Sequence, residues 1–182
     1  MWRIEKLLAH PVFITCIESI ETAETNRQFC RHGQTHLLDV ARISYILNLE
    51  ASLGIEKELL YAAALAHDIG RARQYQDGTN HHQAGADIAS AILPECGFSE
   101  ADTRMISSAI AQHKNKKVKT HKTDRADKTD QEDNANETDK TDCEKLADLL
   151  FRADKLSRRC SDCLVSENCY WPDEYKNKQL SY

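Results

Sequence analysis

An all-α fold is predicted by three observations. Apolar residues recur at three- and four-residue spacing in one segment after another. The residues between those segments are prolines, glycines and good N-caps, as at Pro11, Gly54, Pro94 and Ser99. At the centre lies Ala62-Ala63-Ala64-Leu65-Ala66, a run of strong helix formers. A length of 182 residues fits one domain and buries a core without help from disulfides.

The elements follow in order. Residues 2–25 carry Ile4, Leu7 and Leu8, then Val12, Phe13, Cys16, Ile17 and Ile20. Pro11 suits the first turn of a second helix better than the interior of one long helix. Residues 26–34 read as a polar connection. From Thr35 to Leu49 the face Leu37, Val40, Ile43 or Ser44, and Leu47 predicts a helix, which Leu53-Gly54 ends. The next helix spans residues 56–69, with Gly70 just past its end. Residues 74–80, containing Asp77-Gly78 and Asn80, read as a turn. Residues 81–93 form a helix in which Ala84, Ala86, Ala89 and Ala91 allow close approach, and Pro94 and Gly97 break it. Ser99 caps a further helix, with Asp102 three residues on, that runs to His113. The last helix covers residues 143–156, with Leu146, Leu149 or Leu150, Ala153 and Leu156 on one face.

Residues 114–142 have a different character. Five lysines fall between Lys114 and Lys122, an acidic, Thr-rich run follows, and Lys-Thr-Asp recurs at 122, 128 and 140. Such a stretch cannot bury enough apolar surface to offset its ordering entropy, so it is expected to be a disordered, solvated insertion, or else a mobile charged flap. The expected organisation is a single helical domain over 1–182 with this insertion at 114–142 and a Cys-containing tail at 160–182. Net charge is -5, which gives no global basic field for nucleic acid or an anionic membrane. The N-terminus lacks the apolar core of a signal peptide and no run of 18 apolar residues occurs, so a cytoplasmic protein is expected.

Chemistry-bearing residues gather at helix ends. His67 and Asp68 close the alanine-rich helix, His36 lies in a first turn, His81 and His82 start another helix, and His113 ends one. Each alone reads equally as an ordinary polar residue at a helix end. Asp154 is flanked by an apolar face, and a carboxylate drawn inward needs a cation or a metal. Neutral imidazole with carboxylate suits Zn, Fe, Mn or Co. Four His and two Asp are enough for two divalent ions sharing one carboxylate, a pair that clamps a phosphoryl group and generates hydroxide at neutral pH. Arg71 and Lys155 are the cations nearest in sequence. Arg71 fits either a phosphate oxygen or a helix C-terminus. The seven cysteines are an odd number and include Cys160-x2-Cys163 and Cys169. These three make most of a structural zinc site, with Cys143, Cys30 or a histidine as the fourth ligand; free thiols or a redox role are the alternatives.

In this order the segments His36-Leu37-Leu38-Asp39-Val40-Ala41, Ala64-Leu65-Ala66-His67-Asp68-Ile69-Gly70-Arg71 and Arg152-Ala153-Asp154-Lys155 resemble the HD-domain metal-dependent phosphohydrolase superfamily over about residues 30–160. The resemblance implies a helical bundle with His36, His67, Asp68 and Asp154 around one metal. Bacterial relatives with two metals imply His81, with His82 as the fallback, and His113 around a second ion, with Asp68 shared. The implied activity is hydrolysis of a phosphate ester or anhydride, expected to be in a small nucleotide, through a metal-bound hydroxide, with Arg71 and Lys155 offsetting phosphate charge. The Gly-Tyr-Pro signature of cyclic-di-GMP phosphodiesterases and the acidic pair of guanosine tetraphosphate hydrolases are absent. A di-iron oxygenase and a non-catalytic metal or nucleotide sensor are the alternatives.

Overall fold

The computed structural model describes residues 1–113, 141–179 and 182. Its elements are α1 (Trp2–Leu8), α2 (Pro11–Ala23), α3 (Gln34–Glu50), α4 (Lys57–Ala66), α5 (Arg71–Asp77), α6 (His81–Ile92), α7 (Glu100–Gln112) and α8 (Asp142–Leu156). Three single 3₁₀ turns follow, at Cys160–Asp162, Ser166–Asn168 and Asp173–Tyr175. No strand occurs among the described residues, so the fold is all-α. No described helix is long and apolar enough to cross a membrane.

The core is built around α4. Leu60 and every residue from Ala62 to Ala66 are fully buried, so this helix is enclosed on all sides. Its alanines let α3 and α7 approach closely, and α1, α6 and α8 complete the enclosure. The predicted face of α3 is buried in full, Ile43 and Ser44 together. On α8, Leu146, Leu149, Leu150 and Ala153 are buried and pack against α3 and α7. Each fully buried leucine contributes about 2 kcal/mol of apolar transfer free energy. Pro11 sits in the first turn of α2, and Ser99 with Asp102 forms a reciprocal capping box on α7. Arg3 ties α1 to the body, with Nε 2.5 Å from Glu58 and Nη2 2.6 Å from Glu56.

Four expectations change. Residues 71–77 are helical, so the turn expected over 74–80 begins later, at Gly78, whose φ of +79° closes α5. Asp77-Gly78 marks the end of a helix and not a free-standing turn. Ala72 is buried, and α5 packs on α2. Gly70 does not reverse the chain either, for its φ is -65°. It is needed for proximity: a Cβ there would lie 2.1 Å from the His81 carbonyl oxygen and 2.3 Å from the Gly85 nitrogen. The α4–α5 junction therefore touches the first turns of α6 backbone to backbone. Of the four alanines expected to admit close approach on α6, Ala84, Ala86 and Ala89 are buried, whereas Ala91 is exposed. Finally, Thr141 caps α8 in a second capping box with Glu144, so the last helix starts at Asp142, one residue before Cys143. The rest of the expected insertion, 114–140, lies outside the described residues.

The connection between α2 and α3 is pinned by Glu24, which is only 2% exposed. Its carboxylate accepts hydrogen bonds from the His32 backbone N–H (2.6 Å), from His32 Nδ1 (2.6 Å) and from the Tyr75 hydroxyl (2.5 Å). Burial alone would raise its pKa, but the bonds from His32 and Tyr75 bring it down to about 2.

Two stability measurements follow. Gly70→Ala forces backbone apart at a contact that no side-chain movement relieves, so chemical denaturation should register a loss of roughly 3 kcal/mol or more. Glu24→Gln leaves His32 and Tyr75 without their anion and should cost about 3 kcal/mol at pH 7. Because the folded pKa of Glu24 is depressed, that difference is fully present above the ordinary value of 4.5 and fades as pH falls toward 2. A gap between wild type and Glu24→Gln that stays constant from pH 7 to pH 2.5 would contradict this.

Candidate metal centre

Helix ends converge on one point beside α4. His67 caps α4 and is fully buried; Asp68 follows it at 2% exposure. The Nδ1 of His67 lies 2.6 Å from the Ala64 carbonyl of its own last turn. A carbonyl only accepts, so Nδ1 carries the proton and Nε2 presents a lone pair. His113, the cap of α7, repeats the arrangement, with Nδ1 2.6 Å from the Ile110 carbonyl. His36 reaches the same state by another route. The Ser157 hydroxyl donates to the Asp154 carbonyl (2.9 Å) and so accepts from His36 Nδ1 (3.3 Å). All three rings are thereby fixed with Nε2 available, the orientation a metal-binding histidine takes from its outer hydrogen bond.

The lone pairs meet at Asp68. His36 Nε2 is 3.7 Å and His67 Nε2 3.4 Å from Asp68 Oδ2, and Asp154 Oδ1 is 3.5 Å from His36 Nε2. The other oxygen of Asp68, Oδ1, faces His81 Nε2 at 3.7 Å and Arg71 Nε at 2.9 Å. His36 Nε2, His67 Nε2 and Asp68 Oδ2 are buried without a hydrogen-bond partner among the described residues, and ligand atoms of these three residues lie within 4.8 Å of one another. Each such atom costs about 1–3 kcal/mol if left unpaired, and one cation would satisfy all three. The donor set therefore fits a divalent metal.

Charge is arranged to match. Burial drives the His67 pKa down to about 4, against the pull of Asp68, and burial also lowers His113, so both rings are neutral at pH 7. Burial would raise Asp68, but His67, His36 and Arg71 hold it well below the usual carboxylate range. Burial acts likewise on Asp154, and Lys155 and His67 bring it to about 2. Neutral imidazoles and ionised carboxylates are the forms that bind a cation.

All six expected ligand residues lie in this one region. His113 is 5.4 Å from His67, ring centre to ring centre, and 4.3 Å from His82. His81 and His82 are adjacent and both buried, and it is His81 whose Nε2 approaches Asp68. The two cations differ from the simple expectation. Arg71 pairs with Asp68 through Nε and also lines the cavity. Lys155 pairs with Asp154 and lies 5.4 Å above the Phe151 ring. Sequence reasoning did not find Ser157 or the Glu24–His32 pair, although His32 stacks edge-on against His36 at 5.4 Å. Nothing in the spacing separates Glu24 from the exposed Glu21.

The centre opens into a cavity of about 890 Å³. Seven Lys and Arg side chains line it against four Asp, and Phe29, Tyr170 and Trp171 stand among the lining residues from the α2–α3 connection and the tail. The Arg158 guanidinium stacks on Trp171 at 3.8 Å.

The chain is similar to known proteins in sequence and in fold. The HD domain family matches residues 33–159, which includes α3 to α8. An uncharacterized protein of Clostridium beijerinckii is 35% identical over 182 residues, the full length of both chains. A bifunctional uridylyltransferase/uridylyl-removing enzyme of Rhodopseudomonas palustris is 39% identical over 57 residues, 31% of this chain but 6% of that enzyme. The crystal structure of a predicted HD superfamily hydrolase from an uncultured Thermotogales bacterium superposes with a TM-score of 0.56 at 19% identity, covering 96% of this chain and 87% of the other. With the match spanning the helices that carry the histidines and aspartates, the chain belongs to the HD domain family.

Proposed function

We propose that the protein is a metal-dependent phosphohydrolase that cleaves a phosphate ester or anhydride in a small nucleotide. One observation carries this reading: the two oxygens of Asp68 face different histidines, Oδ2 toward His36 and His67 and Oδ1 toward His81. A carboxylate so divided suits two cations, the first held by His36, His67, Asp68 and Asp154, the second by Asp68, His81 and His113. Bound divalent ions would supply charge neutralisation of a phosphoryl group and acidification of a water. The Thermotogales neighbour, a predicted hydrolase, and the uridylyl-removing enzymes that share a short stretch agree with phosphorus chemistry.

The chain's own residues do the positioning. Arg71 keeps Asp68 ionised and presents the rest of its guanidinium to the cavity. Lys155 and Arg158 add positive charge along the same wall, which suits phosphate oxygens. Trp171 and Tyr170 offer flat faces on which a nucleobase stacks.

The reading is tested by metal analysis and turnover together. Asp68→Ala should empty both positions, whereas His67→Ala should lower occupancy chiefly at one. Unchanged metal content in both variants would remove the basis of the proposal. A nucleotide panel assayed with Mn, Fe, Co and Zn should give phosphate or nucleotide release from at least one member. Tight binding with no turnover by any metal would favour a sensor instead. Trp171→Ala should raise KM for the nucleotide about tenfold, the loss of one stacking contact, while p-nitrophenyl phosphate, with its smaller ring, is affected much less.

A further inference from the structure

We infer that Cys30, Cys160, Cys163 and Cys169 form a four-thiolate metal centre, separate from the His/Asp site, that staples the C-terminal tail to the α2–α3 connection at the cavity mouth.

The seven cysteines divide by environment. Cys16 and Cys96 are buried in the apolar core. Cys143, in the first turn of α8, packs against the core with its Sγ 3.8 Å from the Met105 carbonyl. The other four all line the cavity, although 130 residues of chain separate Cys30 from Cys160. The sequence left Cys143, Cys30 or a histidine as the fourth partner of the tail cysteines, and the fold brings Cys30. Phe29 meets Tyr170 edge to face at 5.5 Å, a contact between chain neighbours of two of these cysteines, since Cys30 follows Phe29 and Cys169 precedes Tyr170. Burial raises the Cys30 thiol pKa, and Cys160 and Cys169 raise it further, as sulfurs that share a neighbourhood do.

Local backbone suits the same role. Cys163 directly follows the 3₁₀ turn Cys160–Asp162, and Cys169 directly follows the turn Ser166–Asn168. Two tight turns thus deliver a Cys-x2-Cys pair and a third thiol without a helix or strand. Arg158 and Lys176 also lie close enough to act on these sulfurs, and two cations offset the net negative charge of a divalent ion bound by four thiolates.

The tail also needs a fastening. None of residues 157–179 is buried, so apolar burial contributes little to holding it. Its polar ties are few: the Asn177 amide donates to the carbonyls of Lys155, Leu156 and Arg158, and Lys176 donates to that of Ser166. A structural metal supplies folding free energy where a core cannot. Four thiolates in a tetrahedron accept either zinc or an iron–sulfur cluster.

The inference does not rest on the phosphohydrolase proposal, and full-length protein purified without oxygen tests it. Zinc, iron and acid-labile sulfide are measured in wild type, Cys30→Ser, Cys163→Ser, Cys143→Ser and His67→Ala. Cobalt-loaded samples are examined for sulfur-to-metal charge-transfer bands, with circular dichroism reporting the helical fold. Wild type, Cys143→Ser and His67→Ala should show thiolate-held metal, and Cys30→Ser and Cys163→Ser should lose it with their helices intact. Zinc without sulfide would identify a mononuclear site; iron with sulfide would identify a cluster. A Cys30→Ser protein that keeps the wild-type bands and metal content, or a wild type whose tail cysteines are disulfide-bonded or free of metal, would overturn the inference.

Discussion

The carboxylate of Asp68 is the group on which the rest of the arrangement depends. It is an anion just past the alanine-rich end of α4, nearly closed off from water, and burial of an uncompensated charge costs several kcal/mol. Among the described residues the compensating charge is Arg71, and the histidines turn ring nitrogens toward the same carboxylate. Arg71 approaches from the following helix, His36 from α3, His67 from its own turn and His81 from α6. The fold places these helix ends around one atom pair, and the alanines of α4 give them the room to do so. A cluster of lone pairs held this way is poorly solvated until a cation enters, so structure and metal affinity have the same origin.

Most of the helical architecture was legible in the sequence because it follows from local rules. Leu37 to Leu47 on α3 and Leu146 to Ala153 on α8 are buried as their spacing requires. Pro11 and Ser99 start helices because their chemistry suits first turns and caps. The six His and Asp positions were also legible, yet through the order in which they occur, as in the HD-domain resemblance, and not through any property of one of them. What was not legible depends on contacts across the chain. Gly70 looks like a helix terminator, whereas its lack of a side chain serves the meeting with His81 and Gly85. α5 was hidden by Asp77-Gly78 and Asn80, which read as a turn over 74–80 although Gly78 closes a helix. Glu24 and Ser157 became visible only once α2, α3, α5 and α8 were assembled.

The cavity has two kinds of wall. Its inner end is built from α3, α5, α6 and α8 and from Asp68 and His113, just past the ends of α4 and α7. Its outer end is built from the α2–α3 connection and a tail without buried residues. The His and Asp cluster occupies the inner end, and Phe29, Tyr170, Trp171 and Arg158 occupy the outer one.

The contact of Gly70 with the start of α6 has a consequence for how heat acts on the centre. His67 and Asp68 belong to one side of that contact and His81 to the other, and main-chain atoms join them with no intervening side chain to hop between rotamers. Warming loosens side-chain packing well before it separates abutting backbones. The spread between the two halves of the ligand set therefore changes little with temperature and is lost only when the whole core melts, which ties the geometric tolerance of the centre to the cooperativity of unfolding.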